Sequence, residues 1–332
     1  MREILARTRR AVHVPAMRDF PEPRFVDAGG VRLATYEAGE GPAAILLHGW
    51  PELAYSWKNQ IPALAGAGWR AVAVDLKGFG LSDAPPEKEL YDCERMSADF
   101  AALLDALGLE KAVFIGHDWG GALVWSMAQL RPERVAGVVS VCTPAYPRAP
   151  APPLDIIAER LTPDHYFIRF QPEGFAEALF ESDVERFFAF VFRKPVPREV
   201  WPRLIPHVFD LPARFAEGGR AEPEALVMGP EDLRVYVEAY ARTGFRGGIN
   251  LYRNINRNWA LMEGRDETVR APALWIGAEL DLFLPPEAAQ GMERIVPDLE
   301  KHVLSGCGHW VMWEKPAELN ALLLDWLERR VR

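Results

Sequence analysis

The stretch Gly116-His117-Asp118-Trp119-Gly120-Gly121 decides the fold of this 332-residue chain. Before it, Lys111-Ala112-Val113-Phe114-Ile115 reads as a short buried strand, and after it Ala122-Leu123-Val124-Trp125-Ser126-Met127-Ala128 reads as a helix. The glycines stand where a sharp strand-to-helix turn needs small residues. In the G-x-S-x-G form of such an elbow the exposed residue is a nucleophilic serine, and the next backbone N–H helps to hold an oxyanion. Here Asp118 takes the serine position, and no serine of the chain lies in that pattern. A carboxylate makes a poor acyl-enzyme, but it can attack an sp³ carbon and form an alkyl ester that water cleaves at the carbonyl. The helix dipole also favours an acid at this place, so the elbow alone admits a purely structural role.

Outward from the elbow, residues 24–144 alternate short β-rich runs with helical ones, the pattern of a mostly parallel sheet covered by helices on both faces. Arg24–Asp27 and Val31–Tyr36 flank Gly29-Gly30 as an opening hairpin, and Ala43–Leu47, Ala71–Val74, Ala112–Ile115 and Val135–Val139 follow as strands. Asp99 to Leu107 has helical periodicity, with Phe100, Leu103, Leu104 and Leu107 on one face. A proline-dense connector from Pro144 to Pro153 then leaves the sheet. The aromatic-rich residues 145–270 read as a helical cap, and residues 271–332 resume the α/β pattern with strands at Ala273–Gly277 and Lys301–Leu304 and a last helix from Ala317 to Leu327. Residues 1–23 read as an N-terminal arm packing on the core. The expectation is an α/β core interrupted by an inserted helical cap domain.

Composition narrows the function. With 49% hydrophobic residues the chain can bury a substantial core. A net charge of -9 and the lack of a basic stretch argue against a nucleic-acid partner. Cys93, Cys142 and Cys307 are too few and too scattered for a disulfide framework and lack metal-ligand spacing, so no metal or other cofactor is expected, and a reducing cytoplasm fits. No apolar run reaches membrane-spanning length, and the charged N-terminus has no following apolar region of a signal peptide.

In open α/β sheets reactive groups gather where the strands end. After Leu47 comes His48-Gly49-Trp50-Pro51, whose Trp50 N–H can join that of Trp119 in an oxyanion hole, while His48 reads as a loop stabiliser. After Gly277 comes Asp281, with Glu279 and Asp266 as weaker rivals, and after Leu304 comes Cys307-Gly308-His309-Trp310. The order Asp118, Asp281, His309 reproduces the nucleophile, acid and histidine order of α/β hydrolases. His117 should point into the core, and His165 lies in the cap beside Tyr166, lining a pocket or packing.

These motifs resemble the soluble α/β-hydrolase-fold epoxide hydrolases over nearly all of the chain after about Pro23. The segments Asp164-His165-Tyr166-Phe167-Ile168-Arg169-Phe170-Gln171 and Gly244 to Asn254 are similar to the two cap tyrosine segments of that family. The resemblance implies that Tyr166 and Tyr252 hydrogen-bond an epoxide oxygen, that Asp118 is alkylated, and that His309, oriented by Asp281, activates water. The implied substrates are an apolar epoxide and water, the product a vicinal diol. Trp50, Trp119, Phe167 and Phe170 suggest an apolar pocket. Haloalkane dehalogenases share the aspartate nucleophile and histidine but do not need the tyrosine pair. A ligand-binding receptor on a hydrolase scaffold is the alternative of another class. The oligomeric state is not legible.

Overall fold

The computed structural model describes residues 20–218 and 222–332. Most of the N-terminal arm expected over residues 1–23 therefore lies outside the described residues; at its end Phe20 packs its ring on Tyr36 and Tyr55.

Eight strands form one sheet: β1 (Pro23–Asp27), β2 (Arg32–Ala38), β3 (Ala43–Leu47), β4 (Arg70–Asp75), β5 (Ala112–His117), β6 (Val135–Val141), β7 (Ala273–Ala278) and β8 (Leu299–Leu304). Their spatial order is β1-β2-β4-β3-β5-β6-β7-β8. The β1–β2 and β2–β4 pairings are antiparallel and the others parallel. Every residue of β3, β5 and β7 is buried, because helices cover both faces of a parallel sheet and leave no solvated side for polar residues to alternate onto. From β3 the chain moves outward to β4, then crosses back to β5 on the other side of β3. That reversal opens a crevice at the carboxyl ends of β3 and β5, the place where such sheets bind ligands.

The core helices are α1 (Gln60–Gly66), α2 (Cys93–Ala106) and α3 (Trp119–Leu130). Periodicity suggested a start near Asp99 for the second of these, but α2 begins two turns earlier. The Asp92 carboxylate caps it by accepting the Arg95 N–H at 2.8 Å, and Cys93, Met96 and Ser97 extend the buried face.

Between β6 and β7 the chain leaves the sheet and forms α4 (Pro153–Arg160), α5 (Tyr166–Arg169), α6 (Phe175–Glu181), α7 (Val184–Val191), α8 (Trp201–Val208), α9 (Leu211–Glu217), α10 (Pro230–Thr243), α11 (Arg246–Arg253) and α12 (Ile255–Leu261). These helices pack around buried Phe180, Phe187, Phe188, Phe215, Tyr236, Tyr240 and Phe245. The short α13 (Val311–Glu314) and the longer α14 (Pro316–Arg330) close the chain. Among the described residues no helix is long and apolar enough to cross a membrane.

Candidate active site

At the end of β5, Asp118 adopts φ 51° and ψ -118°, a backbone conformation that a non-glycine residue holds only where its surroundings impose it. The elbow is that tight because α3 starts against β3: a Cβ on Gly120 would lie 2.0 Å from the Leu47 carbonyl oxygen. The turn lifts the Asp118 carboxylate clear of the strand. Its Oδ1 accepts the Trp50 N–H at 2.8 Å, and Oδ2 lies 3.6 Å from His309 Nε2. Trp119 is the first residue of α3, so its N–H has no acceptor within the helix.

His309 lies beyond the end of β8 and Asp281 beyond the end of β7. Their side chains meet with Nδ1 to Oδ2 at 2.7 Å. Asp281 is fully buried, and its Oδ1 accepts the N–H groups of Phe283 and Leu284, each at 2.9 Å. Burial alone would raise the Asp281 pKa, but His309 and these two amides hold it below the ordinary range. Burial would likewise push the His309 pKa down; Asp281 and the hydrogen bond to Asp118 instead hold it well above the usual imidazole value. The rival acids are engaged elsewhere, Glu279 with the Gly306 amide and Asp266 with Arg270.

The cap supplies the opposite wall. Tyr166 opens α5 and donates its amide to the Phe209 carbonyl at 2.7 Å. Tyr252 sits on α11, which lies directly on the core because Gly248 has no side chain: a Cβ there would come 2.2 Å from the Trp50 ring. Buried Arg253 ties the two tyrosine segments together, donating to the Phe170 carbonyl at 3.0 Å, the Pro172 carbonyl at 3.0 Å and Glu177 Oε1 at 2.6 Å. The Tyr166 and Tyr252 ring centroids stand 5.5 Å apart, and Tyr252 meets Trp119 edge-on at 4.9 Å. Burial, with the Asp118 charge adding to it, pushes both phenol pKa values up, so both hydroxyls stay protonated.

A cavity of about 530 Å³ separates Asp118 and His309 from this wall. Trp50, Trp119, Phe167, Tyr166 and Tyr252 line it, and α3 contributes a stripe at helical spacing, Trp119, Ala122, Ser126 and Gln129. Phe170 is not among its lining residues. It is fully buried one turn along from Phe167, with its ring against Trp50, Phe180 and Tyr252.

Sequence reasoning passed over Glu52. Its Oε2 accepts the Gly49 N–H at 2.8 Å and receives His117 Nδ1 at 2.6 Å, while His117 Nε2 donates to the His309 carbonyl at 2.8 Å. Both ring nitrogens donate, as in a protonated imidazole. Against the effect of burial, Glu52 holds the His117 pKa up at about 10. His117 thus points into the core and braces the histidine loop from behind. His48 donates from Nδ1 to the Gly49 carbonyl and accepts the Leu76 N–H at Nε2, fixing the loop that carries Trp50. His117, Cys142 and His309 have potential ligand atoms within 4.8 Å of one another. Both His117 nitrogens and His309 Nδ1 are committed to hydrogen bonds, so the set is built for orientation rather than for a metal. The three cysteines are buried and free.

The sheet, its elbow with an aspartate, and the acid and histidine at the ends of β7 and β8 define an α/β hydrolase. The alpha/beta hydrolase fold family model matches residues 42–316. Epoxide hydrolase A of Mycobacterium tuberculosis is 38% identical over 317 residues, covering 92% of this chain and 97% of that protein. The crystal structure of epoxide hydrolase A from Mycobacterium thermoresistibile superposes with a TM-score of 0.83 at 40% identity, over 93% of this chain and 98% of the other. Bifunctional epoxide hydrolase 2 of Sus scrofa is 44% identical over 306 residues, 91% of this chain; the chain spans about half the length of that relative, 54%. The chain belongs to the α/β hydrolase fold family and, within it, to the epoxide hydrolases.

Proposed function

We propose that the protein hydrolyses an apolar epoxide to a vicinal diol through an ester on Asp118. The observation that carries this reading is the placement of two protonated phenols across the cavity from a carboxylate nucleophile. Epoxide opening leaves negative charge on the oxygen but releases no leaving group. The charge therefore has to be met on the far side of the carbon from the attacking carboxylate, where Tyr166 and Tyr252 stand.

Because Oδ1 is held by the Trp50 amide, Oδ2 is the oxygen free to attack. A new C–O bond forms to Oδ2 as the epoxide C–O bond breaks, and a tyrosine proton passes to the alkoxide. Ester formation removes the Asp118 charge that helps to hold the His309 pKa up, so the imidazole becomes a competent base when a base is needed. His309 takes a proton from water as the water oxygen attacks the ester carbonyl. Oδ1 then carries the oxyanion between the Trp50 and Trp119 amides. Collapse expels the second diol oxygen, which takes the proton from His309, and the second water proton, left on the Asp118 carboxyl, passes to the tyrosinate, restoring both phenol and carboxylate. The balance is one epoxide and one water to one diol, with no cofactor.

The domain reading that goes with this is a core of residues 24–144 and 271–332 carrying the nucleophile, acid and base, and a cap of residues 145–270 carrying the electrophilic pair. A reducing cytoplasm suits the three free cysteines. Purified protein incubated with a mixed panel of aryl and aliphatic epoxides and haloalkanes, followed for diol and halide together, tests the reading. Diol without halide is expected. Halide without diol would make the tyrosines packing residues and the protein a dehalogenase.

A further inference from the structure

His165 lines the cavity one residue before Tyr166, yet the mechanism above does not use it. The side chain is 4% exposed. Its ring is stacked between Tyr166, at 4.9 Å and 17°, and Phe209, at 4.9 Å and 18°, while Phe167 meets it edge-on at 4.7 Å. Nδ1 accepts the Phe167 N–H at 3.2 Å. A neutral imidazole has one donor nitrogen and one acceptor, so an accepting Nδ1 puts the proton on Nε2. Burial lowers the ring pKa to about 4, and the neutral form therefore prevails at physiological pH.

Among the described residues nothing accepts the Nε2–H. The ring lines the cavity, so this donor is open to a group that binds there. Four other donors along the cavity wall are committed to the backbone. Thr143 Oγ1 donates to the Asp118 carbonyl, Trp125 Nε1 to the Thr143 carbonyl, Trp310 Nε1 to the Val191 carbonyl and Ser126 Oγ to the Ala122 carbonyl. The phenols of Tyr166 and Tyr252 are reserved for the epoxide oxygen itself.

We propose that His165 is a specificity-determining donor, its Nε2–H receiving an acceptor oxygen carried on a substituent of the substrate. The preferred substrates are then oxygenated epoxides, with an ether, carbonyl or hydroxyl oxygen on one arm, rather than pure hydrocarbon epoxides. This inference rests on the epoxide hydrolase reading. Two aromatic faces and a backbone hydrogen bond fix the donor, so the acceptor has to fall at one distance from the ring, and an oxygen elsewhere on the arm gains nothing.

The test is a scan with terminal alkyl epoxides of constant chain length in which a single ether oxygen replaces each methylene in turn. The quantity read is the ratio of kcat/KM for each ether to that of the hydrocarbon parent. In the wild type one position should exceed the parent by about tenfold, mainly through KM. His165→Phe keeps the stack without the donor, and His165→Ser keeps an oxygen to accept the Phe167 N–H without the reach. In either variant the ratio should fall to about one, whatever happens to turnover of the parent. A flat profile in the wild type, or a peak that survives in the variants, overturns the role of His165 while leaving the epoxide reading intact. No hydrolysis of any member by the wild type overturns the epoxide reading and this inference with it.

Discussion

Replacing Tyr166 or Tyr252 by phenylalanine removes a hydroxyl and almost nothing else. Tyr252 is 2% exposed and packs its ring edge-on against Trp50, Trp119 and Phe170, contacts that phenylalanine retains. The loss should therefore be chemical. Burial raises both phenol pKa values, so the wild-type pair stays protonated, and on the proposed mechanism it donates to the developing alkoxide. Removing one preorganised oxyanion donor costs roughly 2.7–4 kcal/mol, or about 10² to 10³ in rate. Each single variant should sit near the lower figure because the remaining phenol still faces the same oxygen, and the double variant, with neither phenol left, should lose at least the product of two such effects, about 10⁴. Alkylation is read by stopped-flow tryptophan fluorescence under single-turnover conditions. Trp50 and Trp119 both touch Tyr252 and stand over the nucleophile, so ester formation occurs beside both indoles. Single variants that alkylate within about threefold of the wild type would refute the reasoning and return the tyrosines to packing.

Three further outcomes follow from the same geometry. Glu52→Gln leaves the buried His117 charge without its partner and should destabilise the fold by about 3–5 kcal/mol by denaturant titration. His117, raised from 6.5 to about 10, contributes fully below pH 6.5 and loses that contribution as pH rises toward 10. Glu52, lowered from 4.5, contributes fully above pH 4.5 and loses it as pH falls below, so the difference between wild type and variant should be greatest from pH 4.5 to 6.5. A difference independent of pH would contradict the assignment of an ion pair. Asp118→Asn mimics the uncharged ester and should lower the His309 pKa as read by NMR titration, and an unchanged value would remove the proposed timing of the base.

Much of this architecture is legible in the sequence because the signals are local. β3, β5 and β7 are unbroken apolar runs because they are buried on both faces, and Asp118 and Asp281 can be found because each follows such a run; His309 follows the polar, largely exposed β8 and is found through Cys307-Gly308-His309-Trp310. The early start of α2 was harder to read, since its first turns carry Glu94 and Arg95 and only Asp92, as a cap, marks the true beginning. Non-local pairs outside the recognised motifs were not legible. Glu52 looks like an ordinary surface acid after Pro51 until the fold brings His117, 65 residues away, against it. The clamp between Arg253 and Glu177 spans 76 residues. Phe167 and Phe170 are alike in composition and spacing, but only the docking of α11 decides that one faces the cavity and the other fills the seam behind it. The donor state of His165 depends equally on three dimensions, because a backbone amide sets its tautomer.

The central claim is a covalent ester on Asp118 that needs His309 for its hydrolysis. It is tested most directly by intact-mass spectrometry of His309→Gln after exposure to an epoxide, with Asp118→Asn as the companion variant. The account predicts an adduct of the full substrate mass that persists on His309→Gln, maps to the peptide containing Asp118, and is absent from Asp118→Asn. An unmodified His309→Gln protein, with epoxide consumed by the wild type under the same conditions, would contradict it.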